Sequence, residues 1–336
     1  MSEKIFKPEK PNITDTLSDL EFQLNFQSDR GKPKDFISRI ENDFKDLRNQ
    51  FSSASLDEKK KALEFASKSY YPGNPKNINQ EIIGLYAESG QLGIDRLTAE
   101  LIEAQKEKLK DQFNDATEAG ITIWKIVNLA RELVPKADNI DTQPLIEESV
   151  KLLLRDDDKE INYLFQDLLD CFALIGEPAT GPILAEMGGN YNVDYKSARK
   201  IRNLAVMLKM ALRNSNVKEK TKELASQRIV KFLNKHDRYS YIFMEEVIEC
   251  LADIGEVAIK PLLKTLSDAE DDYIDNYADT FSKMTETVKS EKLFEVIPIF
   301  ESALKDKNLS AYQIQKIEED IKKLKEAESN IKKKAA

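Results

Sequence analysis

The sequence predicts an all-α protein, built as an α-solenoid of stacked antiparallel helical hairpins, on three observations. Turn formers are scarce, with 11 glycines and 11 prolines in 336 residues, too few for the frequent tight turns that sheets need. Apolar residues recur at helical spacing along most of the chain. Finally, LDCFALIGEPATGPILAEM (169–187) returns as IECLADIGEVAIKPLLKTL (248–266), an offset of 79 residues from Gly176 to Gly255. Cys171, Ala173, Ile175, Glu177, Ala179, Pro182 and Leu184 then meet Cys250, Ala252, Ile254, Glu256, Ala258, Pro261 and Leu263. Self-similarity at a fixed offset is the signature of a repeat array.

Taken in order, residues 1–30 are polar, with Pro8 and Pro11, and are expected to form a flexible arm. Phe36, Ile37, Ile40, Phe44, Leu47 and Phe51 mark the first firm helix, and YYPGNPKN (70–77) marks a loop. LYAESGQLGIDRL (85–97) is a fainter copy of the repeated turn, with Ala87 and Gly90 in the places of Ala173 and Gly176 but no proline. Residues 121–134 and 145–154 make another helical pair, broken at Pro135. In the strong copies the first helix carries its stripe through Leu164, Leu168, Cys171, Phe172 and Ile175 and ends at Gly176. That glycine is expected to adopt the left-handed conformation that closes a helix.

Glu177 then suits the positive end of the second helix, and Pro178 and Pro182 are placed where a missing N–H costs little. Repeat units of this kind run about 40 residues. An intervening unit is therefore expected from about Asp194 to Lys235, with a degenerate turn at Asn214–Val217. A last pair follows at 278–287 and 294–304. Ile314, Ile317, Ile321, Leu324 and Ile331 then mark a C-terminal helix interrupted by Glu328. The expected division is thus an arm (1–30), the solenoid (31–310), and a capping helix with a basic tail (311–336); arrays need a terminal unit with one polar face.

The segments Gly176–Leu184 and Gly255–Leu263 resemble the inter-helix turn of HEAT-like repeats, the group that includes the phycobilin-lyase-type repeats. The resemblance covers two copies of about 30 residues and, weakly, a third. It implies a curved rod whose second helices line a concave surface, from which Lys260 and Lys264 would project.

The candidate chemistry is sparse. The single histidine, His236, sits beside Asp237 and Arg238 at a helix end, which denies the chain the multi-histidine metal sites of some HEAT-like hydroxylases. Cys171 and Cys250 hold the same repeat position and read as buried filler, and Trp124 reads as core among Ile121, Ile123, Ile126 and Val127. Asp156–Asp158 and the acids of 268–272 lie where helices start and lack the glycine and ligand spacing of a calcium loop. No glycine-rich phosphate loop is present. No metal or cofactor is expected, nor a membrane span, since no run of about 18 apolar residues occurs. Residues 1–10 do not read as a secretory signal, and a cytoplasmic protein is expected.

One feature runs against the net charge of −9. From Tyr195 to Lys218 there is no acid, while Arg199, Arg202, Lys209 and Arg213 fall within about 80° on one helix edge, opposite Ile201, Leu204, Leu208 and Leu212. The preceding stretch GGNYNVDY (188–195) supplies Tyr191 and Tyr195. Basic side chains beside exposed aromatics suit acidic partners, although the same side chains could equally meet acids on neighbouring repeats. The function expected is a non-catalytic protein-interaction scaffold whose partner has an acidic surface. It would bind through Arg199, Arg202, Lys209, Arg213, Lys260, Lys264, Tyr191 and Tyr195. The alternatives are a lyase-type protein or a nucleic-acid binder, the latter disfavoured by the acidity of the chain.

Overall fold

In a computed structural model, residues 13–25, 34–70, 74, 76–110, 118–134, 141–154, 169–189, 191, 194–235, 238–306 and 308–335 are described. His236, Asp237, Asp156–Asp158, Leu164, Leu168 and the side chain of Trp124 lie outside them. The described residues are helical with no strand. No described helix is long and apolar enough to cross a membrane. The chain divides into two compact units, Met1–Glu148 and Ser149–Ala336.

The first unit contains α1 (Ile13–Asn25), α2 (Lys34–Phe51), α3 (Leu56–Ser69), α4 (Lys76–Ser89), α5 (Gln91–Lys110) and α6 (Glu118–Leu133), followed by α7 (Gln143–Leu153), which runs past its end. Within the span expected as an arm, α1 packs on α2 and α3 and buries Ile13, Thr16 and Leu20. Its Thr16 is hydrogen-bonded to Gln50. The expected first firm helix is α2, whose Ile40, Phe44, Leu47 and Phe51 are buried. Ser55 caps α3 in a reciprocal box with Glu58, satisfying donors that a helix start leaves orphaned. Alternate helices neighbour one another: α2 packs on α4 and α4 on α6, while α1 packs on α3 and α3 on α5.

The second unit repeats that arrangement. Residues 169–175 form α8, followed by α9 (Glu177–Met187), α10 (Tyr195–Leu212), α11 (Glu219–Ile229), α12 (Met244–Ile254), α13 (Ile259–Leu266), α14 (Ile274–Met284), α15 (Ile297–Asp306) and α16 (Ala311–Ala335). The first-helix layer runs α10, α12, α14, α16, each packed on the next, and the second-helix layer runs α9, α11, α13. A 3-10 turn at Glu291–Val296 leads into α15 and touches α13. α16 packs mainly on α14, burying Ile317, Ile321 and Leu324. Cys171 and Cys250 are both buried and in no disulfide.

Among the described residues three glycines have positive φ, and they are the three aligned in sequence: Gly90 (59°), Gly176 (66°) and Gly255 (79°). At Gly176 and Gly255 ψ is −120° and −143°. The expected left-handed helical geometry is therefore replaced by the mirror image of the extended region, which only glycine visits freely. Pro182 also departs from expectation, lying inside α9 beyond its first turn. Its counterpart Pro261 is the third residue of α13, because Gly255–Ala258 form a separate 3-10 turn.

The turns at Gly176 and Gly255 are each capped by residues about 35–44 positions further along the chain. Asn214 Nδ2 donates to the carbonyls of Ala173 and Leu174 and Asn216 Nδ2 to that of Ile175, while Asn216 Oδ1 accepts from the Glu177 N–H. Glu177 in turn accepts from Lys218 N and Thr221 Oγ1. In the second copy Thr287 donates to Ala252 O, and Glu256 accepts from Ser290 and Lys292. At the faint copy, Gln91 exchanges two hydrogen bonds with the backbone of Asp141. At Gly176 and Gly255, carbonyls at the helix end that the helix leaves unsatisfied are thus bonded by residues 35–41 positions onward.

Candidate functional site

The cationic stripe of α10 faces the next first-layer helix, α12. Glu246, Glu249 and Asp253 occupy successive turns there, at i, i+3 and i+7. Arg202 pairs with Glu246 at 3.5 Å, and Lys209 reaches both Glu246 at 3.0 Å and Glu249 at 2.6 Å. Arg213 places its guanidinium on Asp253 through Nε and Nη2 at 3.0 and 2.9 Å. The Lys209 side chain is only 12% exposed. Burial opposes its charge, but hydrogen bonds and attraction to Glu249 and Glu246 outweigh that and hold its pKa above the usual lysine value. Lys209 correspondingly holds the Glu249 carboxyl below the usual range. Such partly buried pairs fix the register of two packed helices more than they attract an outside partner.

The same device appears elsewhere in the first-helix layers. Arg48 of α2 pairs with Glu81 and Glu88 of α4, and Lys316 of α16 pairs with Asp275 and Asp279 of α14.

The tyrosines separate. The Tyr191 hydroxyl donates to Glu186 O at 2.6 Å, and its pKa is pushed up to about 12 by burial and by Glu186. Lys235 sits over its ring at 5.9 Å. Tyr195 is 50% exposed and edge-on to Tyr239 at 5.9 Å. Arg199 lies over Tyr195 and Arg238 over Tyr239. The predicted stripe is therefore divided, with Arg202, Lys209 and Arg213 on α12 and Arg199 in an aromatic cluster at the start of α10.

Lys260 and Lys264 lie on α13 in the second-helix layer, both exposed, with no ion pair to a described residue. The neighbouring α11 turns Lys220, Leu224 and Arg228 outward within about 80°. Lys231 is exposed just beyond that helix. Glu223 is exposed on a different line, about 100° round from Leu224. Arg228 lies against Gly188 at the end of α9, where a side chain would collide with its guanidinium. Among the described residues no ion pair joins α9, α11, α13 and α15 to one another, whereas Arg96 of α5 in the first unit pairs with Glu64 of α3. Leu224 of α11, 47% exposed, and Ile299, near the start of α15 and just after the turn that touches α13, 43% exposed, are large apolar side chains at the surface.

The sequence reading missed Glu246, Glu249 and Asp253 as partners of the stripe, although Lys209 to Glu249 and Arg213 to Asp253 are each one 40-residue step. It also missed Leu224, Arg228 and Lys231; the signal was the outward line of α11. Among the described residues no group of three metal-ligating side chains converges. The chain matches no protein-family model and no curated protein.

Proposed function

We propose that this chain is a non-catalytic protein-interaction scaffold, an α-solenoid of HEAT-like hairpins that binds a partner protein with an acidic surface. The carrying observation is the unequal fate of its cations in the second unit. Arg202, Lys209 and Arg213 of the first-helix layer face Glu246, Glu249 and Asp253. Lys260 and Lys264 of the second-helix layer are exposed and form no ion pair with a described residue. An uncompensated positive patch on a chain of net charge −9 raises the local concentration of anionic surfaces and steers their approach.

Support for the solenoid reading comes from the three positive-φ glycines at aligned positions and from the capping of the Gly176 and Gly255 turns by residues further along the chain. The two layers of alternately packed helices agree with it.

The test is affinity capture from native extract with the full-length protein, comparing wild type with Lys260→Glu/Lys264→Glu and with Arg202→Glu. The proposal expects a specific protein to be retained by wild type and Arg202→Glu and lost with the lysine reversal. Retention by all three proteins, or loss with Arg202→Glu alone, would contradict it.

A further inference from the structure

We infer that the second-helix layer of the Ser149–Ala336 unit binds an extended acidic peptide segment, with its acids across α11 and α13 and an apolar residue near each end. This rests on the scaffold reading above and specifies its partner.

The geometry begins with the spacing of the groups. Leu224, Arg228 and Lys231 follow one another at i, i+4 and i+7, and Lys260 and Lys264 at i and i+4. Positions four apart on a helix face lie about 6 Å from each other. Neighbouring packed helices are about 8–10 Å apart. The five side chains thus form a grid of four cations and one leucine, with Ile299 on the following helix.

An extended chain advances about 3.3 Å per residue and presents alternate side chains on one side about 6.6 Å apart. Crossing from α11 to α13 takes about three residues, and going on past the 3-10 turn that touches α13 to Ile299, near the start of α15, takes about six. Acids on alternate residues therefore meet the cations, and apolar residues about six positions apart reach Leu224 and Ile299. These two side chains stand exposed beside the exposed cations of α11 and α13. An acidic segment that could not cover them would leave apolar area wetted at both ends.

A peptide is favoured over a nucleic acid by those apolar ends and by the overall acidity of the chain, which opposes the phosphate backbone of a long polynucleotide.

The test uses the full-length protein and fluorescence anisotropy with a labelled ten-residue peptide carrying leucines six residues apart and glutamates at alternate positions between them. The comparators are the same peptide with glutamine for glutamate and an oligothymidylate of 20 nucleotides. The inference expects binding in the micromolar range that weakens several-fold between 50 and 200 mM salt, as exposed charge pairs do. The glutamine peptide should bind at least tenfold more weakly.

Lys260→Gln/Lys264→Gln should cost about tenfold and Leu224→Ser several-fold, with far-UV circular dichroism unchanged, while Arg202→Gln leaves affinity as it was. Equal binding of the two peptides, tighter binding of the oligothymidylate, or no peptide binding at 1 mM would each overturn the inference. If the peptide fails while the capture experiment still loses its protein on lysine reversal, this inference falls and the scaffold reading stands. If both fail, the scaffold reading falls too.

Discussion

Replacing Gly176 and Gly255 by alanine, one at a time, separates two contributions that the sequence makes look identical. Both glycines sit at positive φ with strongly negative ψ, so either substitution strains the backbone by about 1–3 kcal/mol. Their surroundings differ. A Cβ on Gly176 would strike Asn216 Oδ1 and come within 2.8 Å of Asn214 Cβ, whereas at Gly255 the nearest atom is Val288 Cγ2 at 3.8 Å. Moving the two asparagines puts four hydrogen bonds at risk, three to the carbonyls closing α8 and one from the Glu177 N–H. At about 1 kcal/mol net each, losing half of them adds about 2 kcal/mol.

Gly176→Ala is therefore expected to destabilise by about 2 kcal/mol more than Gly255→Ala. The assay is urea unfolding of the full-length protein, with hydrogen exchange across 169–187 to localise the effect, since two compact units need not unfold in one step. Equal costs, or a larger cost at Gly255, would refute the capping argument.

Three further outcomes follow from the same contacts. A double-mutant cycle of Lys209→Met and Glu249→Gln is expected to give a coupling of about 1–2 kcal/mol, above the usual exposed pair because the lysine is largely buried. Because the Glu249 carboxyl is held low, that coupling is full at neutral pH and fades as pH falls through its depressed pKa. Asp320 behaves oppositely. It is 2% exposed, its Oδ2 has no hydrogen-bond partner, and burial raises its pKa despite Ser282 and Lys323. The folded protein thus binds this proton more tightly than the unfolded chain, and ionisation at neutral pH costs stability. Asp320→Asn should stabilise by about 1–2 kcal/mol at pH 7 and by nothing below about pH 4, where the acid is protonated in both states; a gain independent of pH would contradict this. Finally, Cys171 and Cys250 are buried, and burial pushes the Cys250 thiol well up. Neither should react with a thiol reagent until denaturant unfolds the chain, and fast labelling in buffer would show the opposite.

Most helices were legible because their stripes are long and periodic: Ile40, Phe44, Leu47 and Phe51 define α2, and the intervening unit fell where a 40-residue step required it. Glycines 90, 176 and 255 were legible as helix ends because no other residue tolerates positive φ as readily. The ψ values of Gly176 and Gly255 were not, because the lack of a Cβ permits positive φ without fixing ψ. α1 was hidden because three buried residues, Ile13, Thr16 and Leu20, suffice to dock a polar segment.

The α10 stripe was visible, but its partners lie on another helix, and an amphipathic pattern reveals a face without revealing what it meets. The second-layer face was half visible. Lys260 and Lys264 stood out from the repeated turn, whereas Leu224, Arg228 and Lys231 became one surface only when α11 was packed beside α13.

The distinction between paired and unpaired lysines can be measured directly by timed acetylation of the native full-length protein, with mass spectrometric readout at each lysine. The account predicts that Lys220, Lys231, Lys260 and Lys264 are modified at least tenfold faster than Lys209, which is 12% exposed and held between two carboxylates. Modification of Lys209 as fast as Lys260 and Lys264 would contradict it.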